Sequence, residues 1–153
     1  TIVAGGKSRA ETVRNAIAHI PEKTSIVAVH DAARPCASEK LWKDILKTAR
    51  LRRAAIPVVP VTDTIKKVSD GYITSTVPRD GLFLVQTPQA FDADLFRKAY
   101  SEAAALYDTV TDDAALIEAV GEKVAAVVGE RTNIKITFDS DIAMAECILL
   151  GRC

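Results

Sequence analysis

The stretch Ser25-Ile26-Val27-Ala28-Val29-His30-Asp31-Ala32-Ala33-Arg34-Pro35 decides how the chain folds. Its first half is a short continuous apolar run. Such a run suits a strand buried on both faces, as in sheets covered by helices on either side. Its second half is a loop that carries charge. Working outward, apolar runs alternate with helical patterns. Ser8 and Glu11 have the S-x-x-E capping spacing, and Ala10, Val13, Ile17 and Ile20 form one helical face. Ser38 caps a second helix carrying Leu41, Ile45 and Ala49. Residues 54–61 form another apolar run, but Pro57 and Pro60 lie inside it. Proline cannot donate to a ladder, so this strand is expected to be bulged, short or partly at an edge.

Residues 64–77 mix polar and β-forming side chains around Ser69-Asp70-Gly71. Asp-Gly between β-formers signals a hairpin, here an arm standing off the main sheet. Helices are expected over 94–105 and 112–120. Strands are expected at the start (1–4), over 123–128 and over 133–137. A last helix, capped by Asp139 or Ser140, runs to about Leu150. The alternation predicts an α/β fold: a Rossmann-like, doubly wound, mostly parallel sheet with helices on both faces and a protruding hairpin arm.

The 153 residues fit one domain, 1–153. Twenty basic and twenty acidic residues cancel, which argues against a nucleic-acid partner. No apolar stretch approaches the ~20 residues of a membrane span. Cys36, Cys147 and Cys153 show no metal-ligand spacing.

Ligands of such sheets bind beyond the carboxyl ends of the strands, so the loops there should carry the chemistry. They supply Lys7, Arg9, Arg34, Arg79 and Lys135, with few carboxylates and no Ser–His–Asp or Cys–His set. Lys135 is notable because it lies in an apolar run, where a cation needs an anionic partner. Cations and hydroxyls without bases suit phosphate chemistry. A phosphate monoester, with a second pKa near ~6, is already a nucleophile at neutral pH. Several of these motifs also have plainer explanations. Thr111-Asp112-Asp113 is accounted for by helix capping, Thr62-Asp63-Thr64 by turn chemistry, and His30 as a satisfied structural histidine.

Six motifs occur in order: Gly-Gly-x-x-Arg-x-x-Thr-Val-x-Asn from Gly5, His-Asp-Ala-Ala-Arg-Pro from His30, Pro-Val-x-Asp-Thr-Ile-Lys from Pro60, Gln-Thr-Pro-Gln-x-Phe from Gln86, Thr-Asp-Asp-Ala from Thr111, and Asn-Ile-Lys-Ile-Thr from Asn133. Together they resemble the methylerythritol phosphate cytidylyltransferase family. The resemblance implies transfer of a cytidylyl group from CTP to 2-C-methyl-D-erythritol 4-phosphate, with magnesium, in non-mevalonate isoprenoid biosynthesis. By motif, Gly6, Lys7, Arg9, Thr12, Asp31 and Ala32 would hold CTP. Arg34, Thr64, Arg79, Thr87, Thr111 and Lys135 would hold the sugar phosphate. Lys135, Arg79 and Asp31 would be catalytic, and Asp31 would also lie near the metal. The arm, 64–79, would hook around a second subunit, so that Thr64 and Arg79 complete the neighbour's site. A bacterial cytoplasm or a plastid stroma is the implied location.

The family's Gly-rich triphosphate loop has no counterpart in this sequence. The resemblance therefore implies the C-terminal two-thirds of a longer enzyme, inactive without that loop. Ribitol 5-phosphate cytidylyltransferase is the nearest alternative. A silent sugar-phosphate-binding or dimerisation module, and a parent fused to a downstream cyclase, are others.

Overall fold

Strand β2 (Ala54–Pro60) organises the sheet, and the computed structural model describes it within residues 1–152. On one side β2 pairs in parallel with β7 (Ala125–Val128), Ala55 facing Ala125 and Val58 facing Val128. On the other side it meets two antiparallel strands in succession. β6 (Gln89–Asp92) pairs with its start and β5 (Phe83–Val85) with its end. β6 also pairs antiparallel with β1 (Ile26–Val29), giving the order β1-β6-β2-β5 with β7 beside β2. Thus β1, β2 and β7 share one direction, and the reversed β6 is inserted between the first two. Nothing in the sequence pattern marks β6, because Gln86-Thr87-Pro88-Gln89 reads as a polar loop.

Seven-residue β2 is central and has partners on both sides, contrary to the expectation from its prolines. The reason is positional. In an extended strand the N and O of one residue point to the same side, and the Pro57 carbonyl accepts from Gln86 N at 2.9 Å. The missing Pro57 N–H therefore faces the break between β5 and β6, where no ladder bond is lost.

The alternation of side chains across β2 and β6 builds two cores. Ala54 and Phe91 face α1 (Arg9–Ile17), α3 (Ala93–Glu102) and α4 (Ala114–Ala119). Phe96 stacks on Phe91 with ring centroids 5.2 Å apart. Ala55 and Ala90 face α2 (Glu39–Arg52) through Leu41, Ile45 and Ala49. Helices on both faces are what the alternating pattern predicted. Both serine caps form: Ser8 accepts from Glu11 N and Ser38 from Leu41 N. α2 ends on Arg53 at φ 70°, a left-handed residue whose guanidinium reaches Asp92 (3.3 Å) and Glu122 (3.4 Å).

The hairpin is present: β3 (Ile65–Ser69) pairs antiparallel with β4 (Tyr72–Val77) in a sheet of its own. Asp70 and Gly71 take φ 52° and 82°, the left-handed pair that tight hairpins require. Three expectations differ. Residues 1–4 form no strand, since no described strand lies alongside to pair with them. Residues 133–137 form no strand: Ile136 N donates to Ala33 O at 2.8 Å, in a loop, and Thr137 N to the Asp141 carboxylate, not into a ladder. The last helix, α5 (Asp139–Leu149), is capped by neither Asp139 nor Ser140. Its exposed Asp141 carboxylate accepts from Thr137 N and Phe138 N, each at 2.9 Å. These bonds, Phe138's first, hold the Asp141 carboxyl below the usual range.

Candidate active site

The carboxyl end of β1 delivers His30 and Asp31, and one threonine fixes both. The Thr87 hydroxyl accepts from Asp31 N at 3.0 Å and sits 3.0 Å from His30 Nδ1. His30 Nε2 lies 3.0 Å from the Arg34 carbonyl, which can only accept. Nε2 therefore carries the proton, and the Thr87 hydroxyl donates to Nδ1. With both nitrogens engaged and Trp42 edge-on at 5.2 Å, His30 is a structural histidine, as its sequence context suggested.

Asp31 is the electrostatic centre. Its Oδ2 meets Lys135 Nζ at 3.2 Å and Arg34 Nε at 3.4 Å. Arg34 is held in turn by the Asn133 carbonyl at 2.8 Å. Burial alone would raise the Asp31 carboxyl. The Lys135 hydrogen bond and charge, then Arg34 and Arg9, outweigh it and hold the group below the ordinary carboxylate range. The lone cation of the 133–137 run thus has an anionic partner, although its half-exposed side chain is not buried among apolar residues as the sequence suggested.

A cavity of about 400 Å³ opens beside this cluster. Of the residues expected to bind or act, Arg9, Asp31, Arg34, Thr87, Thr111 and Lys135 all line it. Gly6, Lys7, Thr12, Ala32, Thr64 and Arg79 do not. Gly6 and Lys7 serve the start of α1: Gly6 N donates to Thr12 Oγ1 at 2.9 Å, and Lys7 N to the Glu11 carboxylate. Thr12 borders a separate apolar groove with Val13, Ile17, Val27 and Phe96. Thr64 and Arg79 are exposed at the base of the arm, where the Arg79 guanidinium donates to the Thr62 carbonyl.

Sequence reasoning missed several residues. Gln86, Gln89, Asp112 and Glu118 also line the cavity. Three carboxylates therefore face it, more than the sequence suggested, although Asp31 is committed to two cations. Capping explains only half of Asp112-Asp113. Asp112 Oδ1 accepts from Ala115 N at 3.1 Å, as a cap should. Asp113 is fully buried and grips Arg9 bidentately at 2.9 and 2.7 Å, with the Tyr100 hydroxyl donating to the same carboxylate. Burial and Asp113's charge push the Tyr100 phenol far up, so it stays protonated. The only sequence signal was the doubled Asp: one cap needs one carboxylate.

For magnesium, the fit is that of a single carboxylate. The described residues hold no group of three His, Cys, Asp or Glu that could bind a metal. Mg²⁺ commonly takes one or two carboxylates plus substrate phosphates. Both cation contacts of Asp31 fall on Oδ2, so Oδ1 can serve that purpose.

Residues 1–151 match the family model of 2-C-methyl-D-erythritol 4-phosphate cytidylyltransferase. The enzyme of that name from Syntrophus aciditrophicus is 44% identical over 149 residues, covering 97% of this chain and 64% of its own. That from Frankia casuarinae is 45% identical over 156 residues, covering 99% and 56%. The crystal structure of the Thermus thermophilus enzyme superposes with a TM-score of 0.87 at 36% identity, over 99% of this chain and 73% of that one. The chain thus spans 64% or less of the length of those two sequence relatives. Family model, sequence relatives and structure agree: this chain belongs to the 2-C-methyl-D-erythritol 4-phosphate cytidylyltransferase family.

Proposed function

We propose that the protein transfers a cytidylyl group from CTP to 2-C-methyl-D-erythritol 4-phosphate, with this cavity holding the sugar phosphate at the reacting phosphorus. One observation carries the reading: Lys135, Arg34 and Arg9 converge with the Thr111 hydroxyl on one cavity that offers no histidine or serine–histidine pair as a base. In the reaction, a phosphate oxygen of the acceptor forms a bond to the α-phosphorus of CTP. The bond to the bridging oxygen breaks, and its electron pair leaves on pyrophosphate. The dianionic nucleophile needs no base. The protein's share is positioning and charge stabilisation.

Lys135, with its side chain half exposed, can turn from Asp31 onto the phosphorane oxygens. Arg34, anchored by Asn133, holds the acceptor phosphate. Thr87 has its hydroxyl committed on both sides, so it positions the Asp31 loop rather than donating to substrate. Arg9, Gly6, Lys7, Thr12 and Ala32 would serve the cytidine side. Asp31 would hold magnesium together with the substrate phosphates, and the ion would supply charge neutralisation. The homologues named above are bacterial, which favours a cytoplasmic setting over a plastid one. No helix among the described residues is long and apolar enough to cross a membrane.

The test is pyrophosphate release from CTP and magnesium, with methylerythritol 4-phosphate and ribitol 5-phosphate as parallel acceptors. In protein that also carries the triphosphate loop, release with the first at a clearly higher kcat/KM is expected. Preference for ribitol 5-phosphate would replace the assignment, and silence with both would remove it.

The arm is read as a dimerisation element that lends Thr64 and Arg79 to a neighbour. Val68, Tyr72 and Ile73 stand 64–77% exposed on it, an apolar surface that a partner would cover. Mixing Arg79→Ala with Lys135→Ala should then restore part of the activity, because some heterodimers hold one intact site. Two inactive variants that stay inactive on mixing would rule out a shared site.

A further inference from the structure

We infer that Gln86 is a positioning residue for Lys135, with Asn133 completing the brace; this rests on the function proposed above. Lys135 needs such support because residues 133–137 form no strand, so no ladder fixes the backbone that carries its ammonium. β5 and β7 flank the carboxyl end of β2 on opposite sides. Gln86 directly follows β5, and its own N–H donates to the Pro57 carbonyl on β2. Its side chain crosses to the segment that follows β7. There Nε2 donates to Glu130 O at 2.8 Å, and Oε1 accepts from Glu130 N at 3.2 Å. The carboxamide thus meets both main-chain groups of Glu130, as a residue on a neighbouring strand would. Turned round, it would set oxygen against carbonyl and NH2 against N–H, so its orientation is fixed.

The same amide serves the next turn of chain. Nε2 also reaches Asn133 O at 3.3 Å, the carbonyl that anchors Arg34 at 2.8 Å. Asn133 is fully buried; its Nδ2 donates to the Thr87 carbonyl at 2.9 Å and lies 3.4 Å from Gln86 Oε1. Three residues on, Ile136 N donates to Ala33 O. Lys135 sits between these two fixed points, and its Nζ falls 3.2 Å from Asp31. Gly129 makes the crossing possible, because a Cβ there would lie 2.5 Å from Gln86 Oε1. Gln86 is only 6% exposed and bonded at both ends of its amide, so it has nowhere to turn. An amide that served stability alone would leave kcat of the folded enzyme untouched. One that places Lys135 would act on kcat, and only while Lys135 is present.

The experiment is a double-mutant cycle on kcat, in protein that also carries the triphosphate loop: Gln86→Met, Lys135→Ala and the two together. Methionine keeps the length of the side chain and removes the amide. Gln86→Met is expected to lower kcat about ten- to a hundredfold, the scale of a misplacement near 1 Å. In the Lys135→Ala background the same substitution should cost less than about threefold, because residues that act as a unit do not add. Equal losses in both backgrounds, or none, would overturn the inference while the cytidylyltransferase function stands. Hydrogen exchange reads the brace apart from turnover. In Gln86→Met the Ile136 amide should exchange about tenfold faster relative to that of Ile45 within α2, and an unchanged ratio would overturn the brace. Gly129→Ala keeps the amide but pushes it aside, so it should show the same pattern at smaller size, and it decides if Gln86→Met does not fold. Unfolding of both variants, seen by circular dichroism, would make the brace a purely structural element and overturn the inference. Silence of the unsubstituted enzyme would overturn the proposed function as well.

Discussion

Lys135→Ala is expected to lower kcat by about a hundred- to a thousand-fold, the range seen when one preorganised donor to a developing charge is removed. KM for CTP should change by less than about threefold. In the free enzyme the Lys135 ammonium rests on Asp31 at 3.2 Å and half of its side chain is solvated. Its attraction to the ground-state triphosphate is therefore weak. Negative charge on the equatorial oxygens grows only as the acceptor attacks, and an interaction that strengthens then appears in kcat rather than in KM. Arg34 also contacts Asp31, so the variant leaves that carboxylate paired and the loop in place. Steady-state kinetics over a CTP series decides the matter. A large rise in KM at constant kcat would move Lys135 from the chemistry to ground-state binding.

The second large effect is on stability. Arg9→Ala is expected to cost roughly 2–3 kcal/mol, below the range for breaking a fully buried pair because the Arg9 side chain is one-third exposed. The cost comes from what remains: Asp113, fully buried, keeps its charge with only the Tyr100 hydroxyl beside it. The pair also ties α1 to α4 across 104 residues, so the loss should appear in the cooperative unfolding of the whole domain. Arg9→Ala combined with Asp113→Asn should recover a large part, since no uncompensated charge is left. Urea unfolding of the three proteins measures this. A loss under about 0.5 kcal/mol for Arg9→Ala would class the contact with ordinary surface pairs.

Asp112 and Asp113 show where local pattern stops being informative. Adjacent aspartates before a helix read as a cap, and Asp112 does cap α4. Asp113 points elsewhere because Arg9 and Tyr100 arrive from α1 and α3, and no spacing within the 111–114 motif encodes that meeting. Gln86 and Gln89 pose the same problem. In sequence they are polar residues about a proline. In the fold Gln86 follows β5 and Gln89 begins β6, and each is buried at the cavity.

By itself, the sequence determined the features that depend on near neighbours and on periodicity. Those were the alternation of strands and helices, the serine caps of α1 and α2, the Asp70-Gly71 hairpin, and the placing of Asp31 and Arg34 after an apolar run. Backbone dihedrals and short-range hydrogen bonds govern each of these, and both are written in adjacent residues. Only the tertiary structure decided the reversed β6 between β1 and β2, the central place of a proline-bearing strand, the Arg9–Asp113–Tyr100 cluster and the pairing of the Gln86 amide with Glu130. Each depends on which distant group supplies a missing hydrogen-bond or charge partner, and that choice is made by packing rather than by local preference.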